Sequence, residues 1–244
     1  MKSLHSYRQL PSPSLVKYID KYWMVENKKN KNIDVPIIPD GCIDIISKNG
    51  EIVLVGIMEV ASLVSIKPND YYFGIRFKPS IIASLLDKDV SKFNNKIIPL
   101  SLIDTKLHNS LQNKMANIEK LNQLFEGLFN GIEFDKRIIK SVNLIELNGG
   151  NITIENLCEE TKLSQKHLER LFKTHIGLTP KKFSRIIRFF QTHKHLTKEG
   201  MKNLCSKILE KGYYDQAHFN HEYKLLTGLT PTHEIMSIFY NTKK

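Results

Sequence analysis

Hydrophobic and polar positions change their period twice along this 244-residue chain. Near the start, Leu15, Val16, Ile19, Tyr22 and Trp23 follow the three-and-four spacing of one helix face and predict a helix over 15–25. After Pro36 and Pro39 the period drops to two. Ile43, Ile45 and Ile46 lead into Lys48-Asn49-Gly50-Glu51 and then Ile52-Val53-Leu54-Val55. Asn-Gly between β-branched runs predicts a hairpin, because both turn residues must accept positive φ. Tyr71–Phe77 reads as another strand, closed by Pro79, and Ser80 as the cap of a short helix over 81–86. Apolar residues at 107, 111, 115, 118, 121, 125 and 128 predict one long amphipathic helix from 107 to 129, ended by Asn130-Gly131. Beyond it the chain reads as helix after helix, with Asn148-Gly149-Gly150-Asn151 as the first strong stop. The predicted fold class is a mixed α+β domain over 1–130, followed by an all-α domain over 131–244.

The helical part repeats itself at an offset of 51 residues. His167-Leu-Glu-Arg-Leu-Phe-Lys-Thr-His-Ile-Gly-Leu-Thr-Pro180 aligns without a gap on His218-Phe-Asn-His-Glu-Tyr-Lys-Leu-Leu-Thr-Gly-Leu-Thr-Pro231, and Gln165 matches Gln216. Each copy has the parts of a helix-turn-helix. In the first, Thr153 caps a helix from 154 to about 161, Lys162-Leu163 makes the turn, and Ser164 caps a second helix running to about 175. In the second, Leu204, Ile208 and Leu209 form the supporting helix, Gly212 supplies the turn and Asp215 caps the following helix. Such a turn sets two helices nearly at right angles, so that the second protrudes and fits a major groove. Gly177 and Gly228 end the protruding helices. Thr179 and Thr230 then cap new ones, with Pro180 and Pro231 at their first positions. The uninterrupted stretch from Pro180 to about Thr197 predicts a rod of roughly 27 Å at 1.5 Å per residue. That suits successive major grooves about 34 Å apart. Solenoid repeats also recur at tens of residues, but they need three or more copies and this chain has two.

Gly212-Tyr-Tyr-Asp-Gln-Ala-His-Phe219 followed by Gly228-Leu-Thr-Pro231 resembles the signature of AraC/XylS-family transcription regulators over about residues 134–240. The resemblance implies a seven-helix domain in which two helix-turn-helix units bind duplex DNA in successive major grooves. By position in that family, base-reading side chains would be Gln165, Lys166, Glu169 and Arg170 in the first unit and Gln216, Ala217, Asn220 and His221 in the second. The chemistry is apt: arginine takes guanine bidentately, glutamine or asparagine takes adenine, and a carboxylate accepts from cytosine N4. Lys173, Lys181, Arg185 and Lys224 are placed for phosphates, which fix register without reading sequence. His167 and His218 lie beside inward positions and are expected to make local hydrogen bonds. His221-Glu222 departs from the family, which usually shows an arginine followed by an apolar or small residue. Lys207 likewise stands in a usually apolar place. Both put the reading power of the second unit in question.

Charge supports the same division. Residues 1–130 carry 17 Lys and Arg against 13 Asp and Glu, and residues 131–244 carry 19 against 12, so the net charge of +11 is weighted toward the C-terminal half. Cys42, Cys158 and Cys205 are isolated from one another and from histidines at ligand spacing, which argues against zinc and disulfides; no metal or other cofactor is expected. No nucleophile triad, HExxH or phosphate-cradling glycine loop is present, so an enzyme is not expected. A fused alkyltransferase would need a reactive, metal-bound cysteine, for which these thiols are too few and too scattered. No signal peptide or membrane-length apolar run is visible, and a cytoplasmic protein is expected.

In the N-terminal half, Tyr18-Ile-Asp-Lys-Tyr-Trp23, Pro39-Asp-Gly-Cys-Ile-Asp44, Gly74-Ile-Arg-Phe-Lys-Pro79 and Ile98-Pro-Leu100 resemble an uncharacterised sensor-like domain found on some AraC-type regulators. Two readings stand. Asp40 and Asp44 can pair with Arg76 in a network that locks the fold. Alternatively, Trp23, Asp44, Tyr72 and Arg76 line an effector pocket. The expected partners are double-stranded DNA and, as further candidates, RNA polymerase, a small effector and a second copy of the chain.

Overall fold

The computed structural model describes residues 4–199 and 204–232. The described N-terminal residues hold eight strands, β1 (Leu4–Gln9), β2 (Ile19–Asn27), β3 (Ile33–Ile37), β4 (Ile43–Lys48), β5 (Glu51–Val55), β6 (Ser62–Ile66), β7 (Tyr71–Phe77) and, after a short helix, β8 (Ile97–Pro99). Six of them form an antiparallel sheet in the order β1-β2-β7-β4-β5-β8, and β3 pairs with β6 in a separate hairpin-like sheet. Asn49 and Gly50 turn the β4–β5 hairpin with φ of 48° and 96°, as the Asn-Gly pair predicts. On β7, Phe73, Ile75 and Phe77 point into the core, while Tyr72, Gly74 and Arg76 occupy the opposite face. Register places Trp23 across from Gly74, and Asp44 across from Arg76, on that second face.

The helix expected over 15–25 is not there. Residues 13–18 make turns and β2 begins at Ile19, paired on both sides. The reason is a register shift between Ile19 and Lys21, which turns Ile19 and Tyr22 to the same buried side. A bulge thus imitates the three-residue step of a helix. The single helix expected over 107–129 is two, α2 (Thr105–Leu111) and α3 (Ile118–Phe129). Asn113 and Ala116 adopt φ of 60° and 70° between them, and the Asn117 side chain accepts from Lys120 N to start α3 afresh. Helix α1 (Ile81–Leu86) forms as expected, but Ser80 sits at φ 76° and its side chain makes no capping bond.

Six further helices follow: α4 (Lys136–Leu147), α5 (Ile154–Thr161), α6 (Gln165–His175), α7 (Pro180–Glu199), α8 (Leu204–Glu210) and α9 (Gln216–Thr227). The further helix expected from Pro231 lies outside the described residues. One hydrophobic core runs from Leu15 through the sheet and its helices to Leu226. It crosses from strands to helices directly: a Cβ on Gly41 would lie 2.8 Å from the Phe183 ring of α7.

Candidate nucleic-acid interface

Helices α5 and α6 make the first unit. Thr153 Oγ1 accepts from Asn156 N, Lys162 takes the left-handed turn at φ 56°, and Ser164 Oγ accepts from His167 N, so each boundary residue does what its chemistry suggests. Leu157, Leu168, Leu171 and Phe172 are buried, and Phe172 meets Phe183 of α7 at 6.0 Å between ring centroids. The opposite face of α6 is exposed, with Gln165, Lys166, Glu169 and Arg170 on it. Two bonds along this surface hold side chains in place. Gln165 donates to Glu169 at 2.9 Å, and Arg170 Nη2 lies 3.2 Å from His167 Nε2. Lys173 and Lys181 are exposed and Arg185 half-buried one turn further along.

Helices α8 and α9 make the second unit. Gly212 turns at φ 81°, Asp215 accepts from His218 N at 2.7 Å, and Phe219 and Tyr223 are buried. Gln216, Ala217, His221 and Lys224 are exposed and Asn220 is half-buried. His218 Nδ1 takes the backbone N–H of Tyr214 at 3.3 Å, so both histidines of the repeat make local bonds. Leu209, expected to support the unit, is 53% exposed; Ile208 fills that place. Glu222 is buried and paired with Arg188 of α7 at 2.7 Å. The departure Glu222 therefore has a partner 34 residues upstream, which local pattern could not reveal.

The joint between the halves is extensive. Asn94 donates to the Gly177 carbonyl at 2.5 Å, Lys182 pairs with Glu59 at 2.6 Å, and Ala61 N donates to Leu226 O at 2.6 Å. Burial lowers the His175 pKa at the end of α6, against the opposing influence of Asp135.

Of the four residues of the expected pocket, Trp23 and Arg76 line one groove and Asp44 is bonded to Arg76, while Tyr72 is not part of that lining. Arg76 donates to Asp44 at 3.0 and 2.8 Å and to Asp40 at 2.5 Å, the locking network. Burial disfavours the Arg76 charge, but Asp40 and Asp44 outweigh it and raise the pKa above the ordinary value. Trp23 lies flat over Gly74, where a Cβ would fall 2.0 Å from the indole. Tyr72 sits elsewhere, with Lys48 over its ring at 5.3 Å. What the structure has instead is a cleft of about 510 Å³ between the halves. Lys21, Lys78 and Arg76 line one wall, Phe190, Lys194 and His195 of α7 the other, and Lys211 stands at its edge. It adjoins an apolar groove of about 400 Å³ lined by Trp23, Val25, Val35 and Ile37. Burial raises the pKa of Glu146, also on the cleft, against the pull of Lys78. Burial first, then Asp40, holds the Cys42 thiol well above its usual pKa, an environment unlike that of a reactive thiolate. Among the described residues no group of three His, Cys, Asp or Glu could hold a metal, and no helix is long and apolar enough to cross a membrane.

Comparison with known proteins matches two separate stretches of the chain. Residues 157–234 match the model of a helix-turn-helix domain, and residues 7–99 that of a domain of unknown function. An uncharacterized HTH-type transcriptional regulator of Haemophilus influenzae is 28% identical over 112 residues, 46% of this chain; the chain spans 37% of that relative's length. Among solved structures, ToxT from Vibrio cholerae is similar along 97% of this chain and 99% of its own, at 15% identity and a TM-score of 0.42. ToxT with an unsaturated fatty acid bound is similar along 97% and 94%, at 12% identity and 0.43.

Proposed function

We propose that this chain, whose residues 157–234 match a helix-turn-helix domain and whose residues 7–99 match a domain of unknown function, is an AraC-type, sequence-specific transcription regulator of double-stranded DNA. One observation carries the reading. Two units of matching build each bury one side of their second helix and leave polar, hydrogen-bonding side chains on the other. In this reading Arg170 takes guanine, Gln216 or Asn220 adenine, and Glu169 cytosine, while Lys173, Lys181, Arg185 and Lys224 hold phosphates. Helix α7, 20 residues long, spans roughly 30 Å at 1.5 Å per residue, close to one turn of duplex. Selection of bound sequences from random duplex DNA, followed by footprinting, tests it. The expected result is a preferred site protected in two major-groove windows one helical turn apart. A footprint of a single turn, or no sequence preference, overturns it.

The effector of this reading sits in the cleft between the halves. Lys78, Lys194 and Lys211 hold no ion pair among the described residues and face a shared space. The cleft also carries Asp20, Asp40 and Glu146, the last interacting with Lys78, but five cations outnumber these three acids and favour an anionic small molecule, which would join one half to the other. A carboxylate-bearing ligand that raises the thermal midpoint of the wild type but not of Lys194→Glu supports this assignment; an equal rise in both removes it.

A further inference from the structure

Helices α7 and α9 meet through an ion pair that the hydrophobic pattern does not require. Arg188 Nη2 lies 2.7 Å from Glu222 Oε1, with side chains 17% and 7% exposed. The Arg188 guanidinium also stacks over the Tyr213 ring, 5.0 Å from its centroid. Tyr213 belongs to the turn of the second unit and packs edge-on against Phe219 of α9 at 5.2 Å. One side chain of the connecting helix thus grips both the turn and the back of the second reading helix. Glu222 directly follows His221, which is exposed on the outward face.

The same stretch of α7 is pressed on by the first unit. A Cβ on Gly150, in the loop leading to α5, would lie 2.2 Å from Ser184 O and 2.6 Å from Arg188 N. A Cβ on Gly212 would lie 2.5 Å from Asn151 of that loop. The loop leading to the first unit and the back of the second thus both reach α7 at Arg188, beside the ring contacts that Phe183 makes with Phe172 and that Phe189 and His193 make with Tyr223. The ring contacts of Phe189 and His193 with Tyr223 fill this joint, but hydrophobic attraction is non-directional. A charged hydrogen bond from a planar guanidinium holds one orientation, because the bond weakens steeply with angle. Glu222 Oε1 also lies 3.9 Å from His218 Nε2, and Arg188 Nε and Glu222 Oε2 have no hydrogen bond of their own among the described residues. A part-satisfied buried pair is a poor source of stability, whereas a positional role accounts for it.

We infer that Arg188, through Glu222 and Tyr213, is the positioning residue that sets which face of α9 the protein presents beside α6, and so governs recognition at the second half of the DNA site. The inference rests on the DNA-binding reading above for its functional consequence, not for its structural one. Two variants test it in the full chain, Glu222→Gln and Arg188→Lys, each with its thermal midpoint measured. Hydrogen exchange of amides 216–227 in the free protein is expected to quicken several-fold in both, with amides 165–175 unchanged. On selected DNA, protection of the first half-site should persist while the second requires on the order of tenfold more protein or vanishes, about 1.4 kcal/mol or more. Arg188→Lys, which keeps the charge but loses the fork, should fall between wild type and Glu222→Gln. Equal weakening at both half-sites, or exchange and footprints like wild type in both variants, overturns the inference. If the wild type selects no sequence, the DNA-binding reading fails by itself and the exchange comparison still judges the positioning role. Should Glu222→Gln not fold, Arg188→Lys carries both measurements.

Discussion

Raising the salt concentration probes the proposed interface through charges that the structure identifies one by one. Not every cation of the helical half can meet a phosphate. Lys182 is held by Glu59, Lys140 by Glu160 and Arg137 by Asp135. Lys173, Lys181, Arg185 and Lys224 are in no ion pair among the described residues and lie on or beside the outward faces of α6, α7 and α9. Each phosphate neutralised on duplex DNA contributes about −0.9 to the slope of log affinity against log salt, so four give about −3.6. Between about 50 and about 200 mM salt the affinity should then fall roughly 150-fold. Lys173→Gln should flatten the slope by about 0.9 and weaken selected and scrambled duplexes alike, since phosphate contacts carry no sequence information. Arg170→Ala should instead cost about 1–3 kcal/mol on the selected duplex and little on the scrambled one. Fluorescence anisotropy of labelled duplexes over a salt series reads both. A wild-type slope shallower than about −2, or a Lys173→Gln slope equal to it, would refute the assignment of these cations to the backbone.

Other consequences concern the scaffold. Phe172→Ala removes a fully buried ring between α6 and α7 and should cost about 3–5 kcal/mol in urea unfolding. Gly150→Ala adds a methyl against the α7 backbone at φ 77°, so it should destabilise by more than the roughly 1 kcal/mol typical of a glycine change; a neutral result would show that the loop can move away. Asp135, which caps α4, is lowered to about 2 by its bonds to Arg137. The stability it contributes is whole above its unfolded value near 3.8 and is lost as pH falls toward 2, so Asp135→Asn should flatten the acid limb of a thermal-midpoint profile. Burial lowers His175 below 6.5, so the unfolded chain takes up the proton first. Stability is full above that pH and declines as pH drops through the window beneath it, and His175→Gln should decline less.

Much of the helical half was legible because its signals are local. Thr153, Ser164 and Asp215 are side chains whose oxygens reach an amide two or three residues on, and all three do so. The gapless internal repeat, with Gly-Leu-Thr-Pro in both copies, then showed that the same local solution was used twice. Errors arose where packing between distant segments decides the outcome. The β2 bulge places Ile19 and Tyr22 inside because β1 and β7 flank the strand on both sides, information that does not lie within residues 15–25. The apolar stripe over 107–129 survives as two helices because each half packs with the same period, while the turn between them depends on Asn113 and Ala116 tolerating positive φ. Glu222 looked like a weakness of the second unit only because Arg188 could not be assigned to it from spacing.

The two units are also fastened to the N-terminal half in different ways, and this bears on how an effector could act. The first unit is latched directly: Asn94 holds the end of α6, Glu59 holds the start of α7, and α6 shares buried surface with α1. Among the described residues, the second unit bonds to that half through Ala61 N and Leu226 O, and it packs on α7 and on Asn151. The cleft runs along the later part of α7, from Ile187 to His195, and reaches Lys211 just before the turn of the second unit. An occupant drawing Lys194 and Lys211 toward Lys78 would pull on the part of the rod that carries Arg188, not on the latched part. Coupling requires that a ligand bind two arrangements with different affinity. In the proposed reading the later part of α7 carries both Lys194 on the cleft and Arg188 against α9, so an occupant of the cleft would act on half-site recognition through the Arg188–Glu222 contact.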